Sequence, residues 1–303
     1  MKLRRVRTDS GLELQALQGT GAWEPHPDRS AVGGQVFDAG WELARAEQSL
    51  TLSESLLPFQ PASFRDFMLY ERHAVDAARG LVRRFHPGQY RLIRAVEAVT
   101  RRTFPMLKPG RLWHSQPVYY MSNALTFVPS GTPIEVPSYS DALDYELELG
   151  FVLAQPLFNA TPAEALDAIG AFVVLNDFSA RDVQRAEMAT GFGPQKAKHF
   201  ASSLSEVAVT ADEVLPRLDN LRGTVAINGT TVSTVSSAGM THSVGDVLAH
   251  ASRSERLLPG ELFGTGTLPG GSGMETGNWL QPGDTVTLTI DGIGAIEHHI
   301  LPR

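Results

Sequence analysis

The stretch Asp144-Tyr145-Glu146-Leu147-Glu148-Leu149-Gly150-Phe151-Val152-Leu153 sets two carboxylates, Glu146 and Glu148, among apolar residues at a spacing of two. Alternate side chains of an extended strand leave on the same face, so the two acids point one way, roughly 6–7 Å apart. Burying two acids on one face of a hydrophobic strand is costly unless something positive sits between them. A hard divalent cation is one such partner, since carboxylate oxygens are what Mg2+ and Ca2+ prefer. A solvated polar face, or salt bridges to neighbouring strands, would satisfy the same pattern, and the spacing alone does not choose.

The surrounding 303 residues are enough for one large domain, or for a large domain with a small appendage. Charged residues make up 19% and hydrophobic residues 42%, the balance of an ordinary soluble protein with a substantial core. No apolar run is long enough to span a bilayer, and no hydrophobic segment follows Met1-Lys2-Leu3-Arg4-Arg5, so neither a membrane span nor a signal peptide is expected. Cysteine is absent, which excludes disulfides and thiolate chemistry and suits a cytoplasmic protein. A net charge of −7 argues against a nucleic-acid or membrane-surface binder. It leaves a small anionic substrate open, because local charge can oppose the net.

Outward from the central stretch, Leu12–Leu17 and Val32–Phe37 read as short strands among Gly and Pro. Residues 1–60 are therefore expected to form a small β-rich N-terminal unit. Arg65 to Val75 shows helical periodicity; on such a helix Asp66 and His73 would lie on nearly one face, about 10.5 Å apart along the axis. Each alone is as well read as a first-turn acid and a satisfied histidine. Gln89 to Thr103 reads as a second helix, and Val118–Met121 and Leu125–Val128 as strands. Thr161-Pro162-Ala163-Glu164 is a helix start with cap, Pro and closing Glu. Ile169–Leu175 is a buried-strand candidate ending at Asn176-Asp177. Ser179-Ala180-Arg181-Asp182 reads as a second capping signature, opening a helix that carries Arg181, Gln184 and Met188 on one face. The loop after it holds Lys196 and Lys198. Farther on, Asn228-Gly229 marks a hairpin, as does Asp291-Gly292. The glycine-dense run from Gly264 to Glu275 matches neither a dinucleotide fingerprint nor a phosphate loop, so its glycines serve tight turns or close backbone approach. His298 and His299 should face opposite sides of a strand and do not qualify as joint ligands.

Taken together, these pieces resemble the fumarylacetoacetate hydrolase family, in its fumarylacetoacetase-like branch. The Asp-Tyr-Glu-Leu-Glu-Leu run, the run from Asn176 to Gln184, Lys198 and the Gly266-Thr267 turn occur in that family's order, with similar spacings. The likeness covers roughly residues 60–303, which implies a catalytic domain over 61–303. It also implies an α+β fold, a mixed β-roll or β-sandwich core flanked by short helices. The metal ligands it implies are Glu146, Glu148, Asp177 and Asp66, for one divalent cation, Mg2+ foremost and Ca2+ or Mn2+ otherwise. His73 would be the general base, oriented by Glu275, with Arg181, Gln184 and Lys198 stabilising negative charge on the substrate. Tyr120 and Thr267 match substrate-contacting positions. Met68 and Met188 stand where fumarylacetoacetase carries phenols, so hydroxyls suited to an acidic substrate are missing, which argues against fumarylacetoacetate itself. The resemblance further implies a homodimer.

The chemistry holds apart from the name. Converging carboxylates repel by about 4 kcal/mol per pair at 4 Å and an effective dielectric of 20, so a cation must bind or several acids must take up protons. An oxygen-only site with open positions can chelate a 1,3-dicarbonyl or 2-oxo acid and favour its enolate. The expected activity is hydrolysis of a carbon–carbon bond in a β-diketone, diketo acid or acylpyruvate, a small-molecule substrate. A hydratase, isomerase or decarboxylase of a 2-oxo acid would use the same scaffold. A non-catalytic, cation-dependent binding module is the alternative from another class.

Overall fold

The computed structural model describes residues 1–9, 11–26 and 55–302. The strand expected at Val32–Phe37 lies outside the described residues. Three strands open the chain: β1 (Lys2–Thr8), β2 (Gly11–Leu17) and β3 (Trp23–Pro25). Next come β4 (Ser63–Phe67) and the helices α1 (Glu71–Phe85), α2 (Pro87–Thr100) and α3 (Arg111–Ser115). The middle of the chain carries β5 (Tyr119–Ser122), β6 (Phe127–Pro129), β7 (Leu143–Asp144), β8 (Glu146–Leu153), α4 (Pro162–Asp167) and β9 (Ile169–Asn176). There follow β10 (Ser179–Ala180), α5 (Arg181–Met188), β11 (Ser202–Leu204), β12 (Ala208–Thr210) and α6 (Ala211–Val214). The last third holds β13 (Arg222–Ile227), β14 (Thr230–Ser236), α7 (Val244–Ala251), β15 (Glu261–Ser272), α8 (Gly273–Thr276), β16 (Thr285–Ile290) and β17 (Gly294–His299).

Eleven strands join in one mixed sheet whose spine runs β3-β2-β1-β12-β9-β8-β15-β4-β5, with β11 and β6 attached beside β9. The β15–β4 and β11–β6 pairs are parallel and the remaining pairs of this sheet antiparallel. A second sheet, β14-β13-β16-β17, packs against it. The expected α+β architecture is therefore what forms.

Strand β8 shows why the core sits where it does. Leu147, Leu149, Phe151 and Leu153 join Phe172, Val174 and Phe263 with Val225, Leu288 and Ile296 of the second sheet in one apolar cluster. Val152 instead packs with Ala171, Val173, Leu175 and Phe64 on the opposite face. The period of two thus separates the inter-sheet core from the face that carries Glu146 and Glu148. All eight residues of β8 are buried, so neither acid can rely on bulk water.

Several local expectations hold. Thr161 and Glu164 close a capping box on α4, and Asn228-Gly229 and Asp291-Gly292 turn hairpins. His298 is buried, with Nδ1 2.6 Å from the Thr132 carbonyl, and burial pushes its imidazole down to about 4; His299 is exposed. Others need correction. Asp66 and His73 do not share a helix. Ser63–Phe67 is a strand hydrogen-bonded on both sides, to β15 and β5, and α1 begins only at Glu71. Two ladders of backbone hydrogen bonds outweigh the helical periodicity read across this stretch. Ser179 does not cap α5: it belongs to β10, and its hydroxyl donates to the Asp177 carbonyl at 3.1 Å. Of the strand expected over Leu125–Val128, Leu125 and Thr126 instead fall in a 3-10 turn capped by Asn123, and Phe127 and Val128 open β6. The glycine-dense run is largely a continuous strand, β15, with two register shifts against β8.

Candidate active site

The register of the large sheet assembles the site. Asp66 on β4 lies opposite Gly264 of β15 and Tyr120 of β5. Across β15, Thr267 pairs with Glu148 and Ser272 with Glu146. Asp177 follows β9 directly, with its amide donating to the Glu146 carbonyl at 3.3 Å. One carboxylate oxygen each from Asp66, Glu146, Glu148 and Asp177 falls within 4.8 Å of the others, and all four residues are buried.

Two of these acids are balanced and two are not. Glu146 accepts from Arg181 Nη2 at 2.7 Å and from the Lys198 ammonium. Asp177 accepts from Lys198 Nζ at 2.7 Å, Ser202 Oγ at 3.1 Å and the Tyr120 hydroxyl. Burial acts on Glu146 as on the rest, yet Arg181 and Lys198 outweigh it and hold the carboxyl well below its usual range. By contrast, among the described residues no donor group serves Asp66 Oδ1 or Glu148 Oε2, and the two carboxyls lie against each other. Thr267 Oγ1 reaches only the other oxygen of Glu148, at 3.5 Å. Burial, and after it Asp177, pushes Asp66 up to about 8. Burial and then Asp66 raise Glu148 well above the carboxylate range. Burial likewise raises Asp177, against the opposing pull of Lys198.

The donor set fits a hard divalent cation on these grounds. Oxygen atoms alone converge, two of them orphaned, and the local cations leave negative charge over. The backbone makes room for the arrangement. A Cβ at Gly264 would stand 2.4 Å from Asp66 Oδ1 and 2.8 Å from Glu148 Oε2. At Gly266, with φ +76°, a Cβ would stand 2.3 Å from the Phe67 carbonyl oxygen. Glycine is required at both positions.

His73, on the first turn of α1, is buried with Nδ1 3.0 Å from Glu275 Oε2. At this distance the Glu275 carboxylate faces the Nδ1 side of the ring. Burial disfavours the imidazolium, yet the Glu275 carboxylate and then Glu146 outweigh burial and raise the histidine above its ordinary value. Glu275 is itself fixed, accepting from the Gly270 amide at 3.0 Å and Ser272 Oγ at 2.8 Å.

A cavity of about 360 Å³ opens over this cluster. Asp66, His73, Glu146, Glu148, Gln184, Lys198, Tyr120, Thr267, Met68 and Met188 line it. Three residues expected at the site stand behind its wall instead: Asp177, Glu275 and Arg181. Each nitrogen of the Arg181 guanidinium has a partner: Nε gives to Asp144 at 2.8 Å, Nη2 to Glu146 and Nη1 to Gln184 at 2.9 Å.

Asp144 is the residue sequence reading passed over. It continues the Glu146/Glu148 alternation one step earlier. Fully buried, it accepts from Arg181 and from the Gly273 and Met274 amides, at 2.8 and 3.0 Å. One carboxylate therefore ties the arginine behind the acid cluster to the short helix that presents Glu275. Counting acids at every second position, rather than stopping at two, would have found it. Glu187 was also missed: its carboxylate gathers the amides of Gln195, Lys196 and Ala197 and so fixes the loop that delivers Lys198.

Residues 95–301 match the family model for the fumarylacetoacetate (FAA) hydrolase C-terminal domain, about two thirds of the chain. The chain belongs to this family. Asp66 and His73 lie before the matched region. Oxaloacetate tautomerase FAHD1, mitochondrial, of Bos taurus is 28% identical over 169 residues, 56% of this chain and 76% of that protein. Two solved structures share the fold across the full length of both chains. They are 5-carboxymethyl-2-hydroxymuconate delta-isomerase from Mycobacterium smegmatis, 20% identical with a TM-score of 0.68, and fumarylacetoacetate hydrolase from Exiguobacterium antarcticum, 21% identical with a TM-score of 0.68. The names these proteins carry span tautomerase, isomerase and hydrolase. No helix among the described residues is long and apolar enough to cross a membrane.

Proposed function

We propose that this protein is a divalent-cation-dependent hydrolase that cleaves a carbon–carbon bond in an acylpyruvate or related β-diketone. The observation that carries this reading is the pairing of His73 with Glu275 at the edge of the same cavity whose floor is the four-carboxylate cluster. Asp66, Glu146, Glu148 and Asp177 would hold the cation, Mg2+ foremost. When bound, it supplies Lewis-acid polarisation of the two oxygens of a dicarbonyl. Every other role falls to the chain. Glu275 holds the Nδ1 side of His73, which leaves Nε2 to take a proton from water. The resulting hydroxide adds to the acyl carbonyl. Lys198 spends two of its three N–H donors on Glu146 and Asp177, so the third faces the cavity and receives the developing oxyanion. The side-chain amide of Gln184, oriented by Arg181, is the second donor. The C–C bond then breaks, the carboxylic acid leaves, and His73 returns its proton to the carbon of the released pyruvate enolate. One water is consumed, and one carboxylic acid and one pyruvate are formed.

Tautomerisation of a 2-oxo acid is the second reading, favoured by the name carried by the FAHD1 relatives. It asks only that His73 move a proton between carbon and oxygen. Product analysis separates the two. An acylpyruvate incubated with the Mg2+-loaded protein should give stoichiometric pyruvate and a carboxylic acid. Exchange of the C3 hydrogens with deuterium and no cleavage would replace hydrolysis by tautomerisation, and release of carbon dioxide would replace it by decarboxylation.

A further inference from the structure

The walls of the cavity change character with depth. Every charged side chain that lines it sits at the buried end: Asp66, Glu146, Glu148, Lys198 and His73. Toward solvent stand Met68, Tyr119 and Met188, with Val118 half-buried and Pro194 and Phe67 buried beneath them. Met68, Tyr119 and Met188 are 42%, 37% and 54% exposed. Large apolar side chains left open around a cleft mark a surface waiting for an apolar partner. Their backbone is held: the Met68 amide donates to Val118 O at 3.2 Å and its carbonyl accepts from Trp113 Nε1 at 2.7 Å. Thioethers adapt to ligands of varied shape.

The cation count sets the charge of the ligand. Among the described residues that line the cavity, Lys198 is the one permanent cation, and it already serves Glu146 and Asp177 at the floor. Among the described residues no cation lines the mouth: Arg65, 6.0 Å from the Tyr119 ring, lies outside the lining and is paired with Glu255 and Glu261. A carboxylate at the far end of a substrate would be stripped of water beside thioethers and a proline, with no ion pair in return.

We infer that the substrate is a 2-oxo acid or acylpyruvate with a single carboxylate, whose distal end is an uncharged alkyl or aryl group seated between Met68, Tyr119 and Met188. This rests on the proposed reading of the floor as the dicarbonyl-binding end. It sets the protein apart from relatives named for oxaloacetate and fumarylacetoacetate, whose names describe diacids.

Isothermal titration calorimetry of the full-length, Mg2+-loaded protein with pyruvate, 2-oxohexanoate, 2-oxooctanoate and 2-oxoadipate tests this without turnover. Affinity should rise about fourfold per added methylene, and 2-oxohexanoate should bind at least tenfold more tightly than 2-oxoadipate, which matches it in carbon count. Met188→Arg or Met68→Arg should move the hexanoate-to-adipate ratio at least tenfold toward the diacid. Equal or tighter binding of 2-oxoadipate, or a ratio unmoved by both variants, overturns the inference and leaves the reading of the floor standing. If no 2-oxo acid binds, pyruvate included, the floor has been misread and both fall.

Discussion

The floor of the cavity and its mouth are made by different kinds of structure. The floor comes from paired strands: Asp66 on β4, Glu146 and Glu148 on β8, and Asp177 at the end of β9, each fixed by backbone register. The mouth comes from the end of β4, the short strand β5 and the end of α5, where Met68, Tyr119 and Met188 are open to solvent. Geometry at the floor is therefore set to fractions of an ångström by the sheet, as chemistry at a cation requires. At the mouth a methionine can swing without disturbing a ladder, so this is where relatives on one fold can differ in substrate while sharing the polar machinery.

If that division is right, changes at the floor should abolish chemistry and changes at the mouth should redirect it. The largest effect is expected from chelation: EDTA should drop turnover to background and Mg2+ should restore it, and Glu148→Ala should lose at least about 10³ in turnover, equivalent to several kcal/mol of transition-state stabilisation. His73→Ala should cost about 10²–10⁴ in turnover while cation affinity stays measurable; retained turnover would remove the base from the mechanism. Asp144→Asn tests the frame behind the floor. Breaking one side of a buried, hydrogen-bonded ion pair costs about 3–5 kcal/mol of stability, which chemical denaturation would read directly. A loss below 1 kcal/mol would mean that Arg181 and the Gly273–Met274 turn hold themselves in place. The smallest effect is expected at the mouth: Met188→Ala should raise KM for a long-tailed acylpyruvate severalfold and leave kcat within about twofold, in line with the loss of part of one buried side chain. A fall in kcat instead would make Met188 part of the floor.

The same division explains what could be read in the sequence. Alternation along β8 is a backbone property, so the pairing of Glu146 with Glu148 on one face was legible from their spacing, and a resemblance to the family supplied Asp177, Lys198 and Glu275. Asp66 and His73 were picked as a pair for the right spacing and the wrong geometry. Seven residues suit two turns of helix, but here they bridge the end of β4 and the first turn of α1, and only long-range pairing to Gly264 and Tyr120 makes Asp66 a strand residue. Arg181 was expected to stabilise negative charge on the substrate; that each of its nitrogens also serves Asp144, Glu146 or Gln184 depends on tertiary neighbours. The division of the four acids into a balanced pair and an orphaned pair is equally invisible in one dimension. It depends on where Lys198 is delivered by a loop that Glu187 holds.

The central claim is that Asp66 and Glu148, each with one oxygen that no donor of the described residues serves, complete with Glu146 and Asp177 a site for one divalent cation. Titrating the metal-stripped protein with Mn2+ and counting bound ions by electron paramagnetic resonance tests it most directly. The wild type should bind one ion per chain, and Mg2+ should displace it; the double variant Asp66→Asn/Glu148→Gln, still folded by circular dichroism, should bind none. Undiminished binding by that variant, or no saturable binding by the wild type, would contradict it.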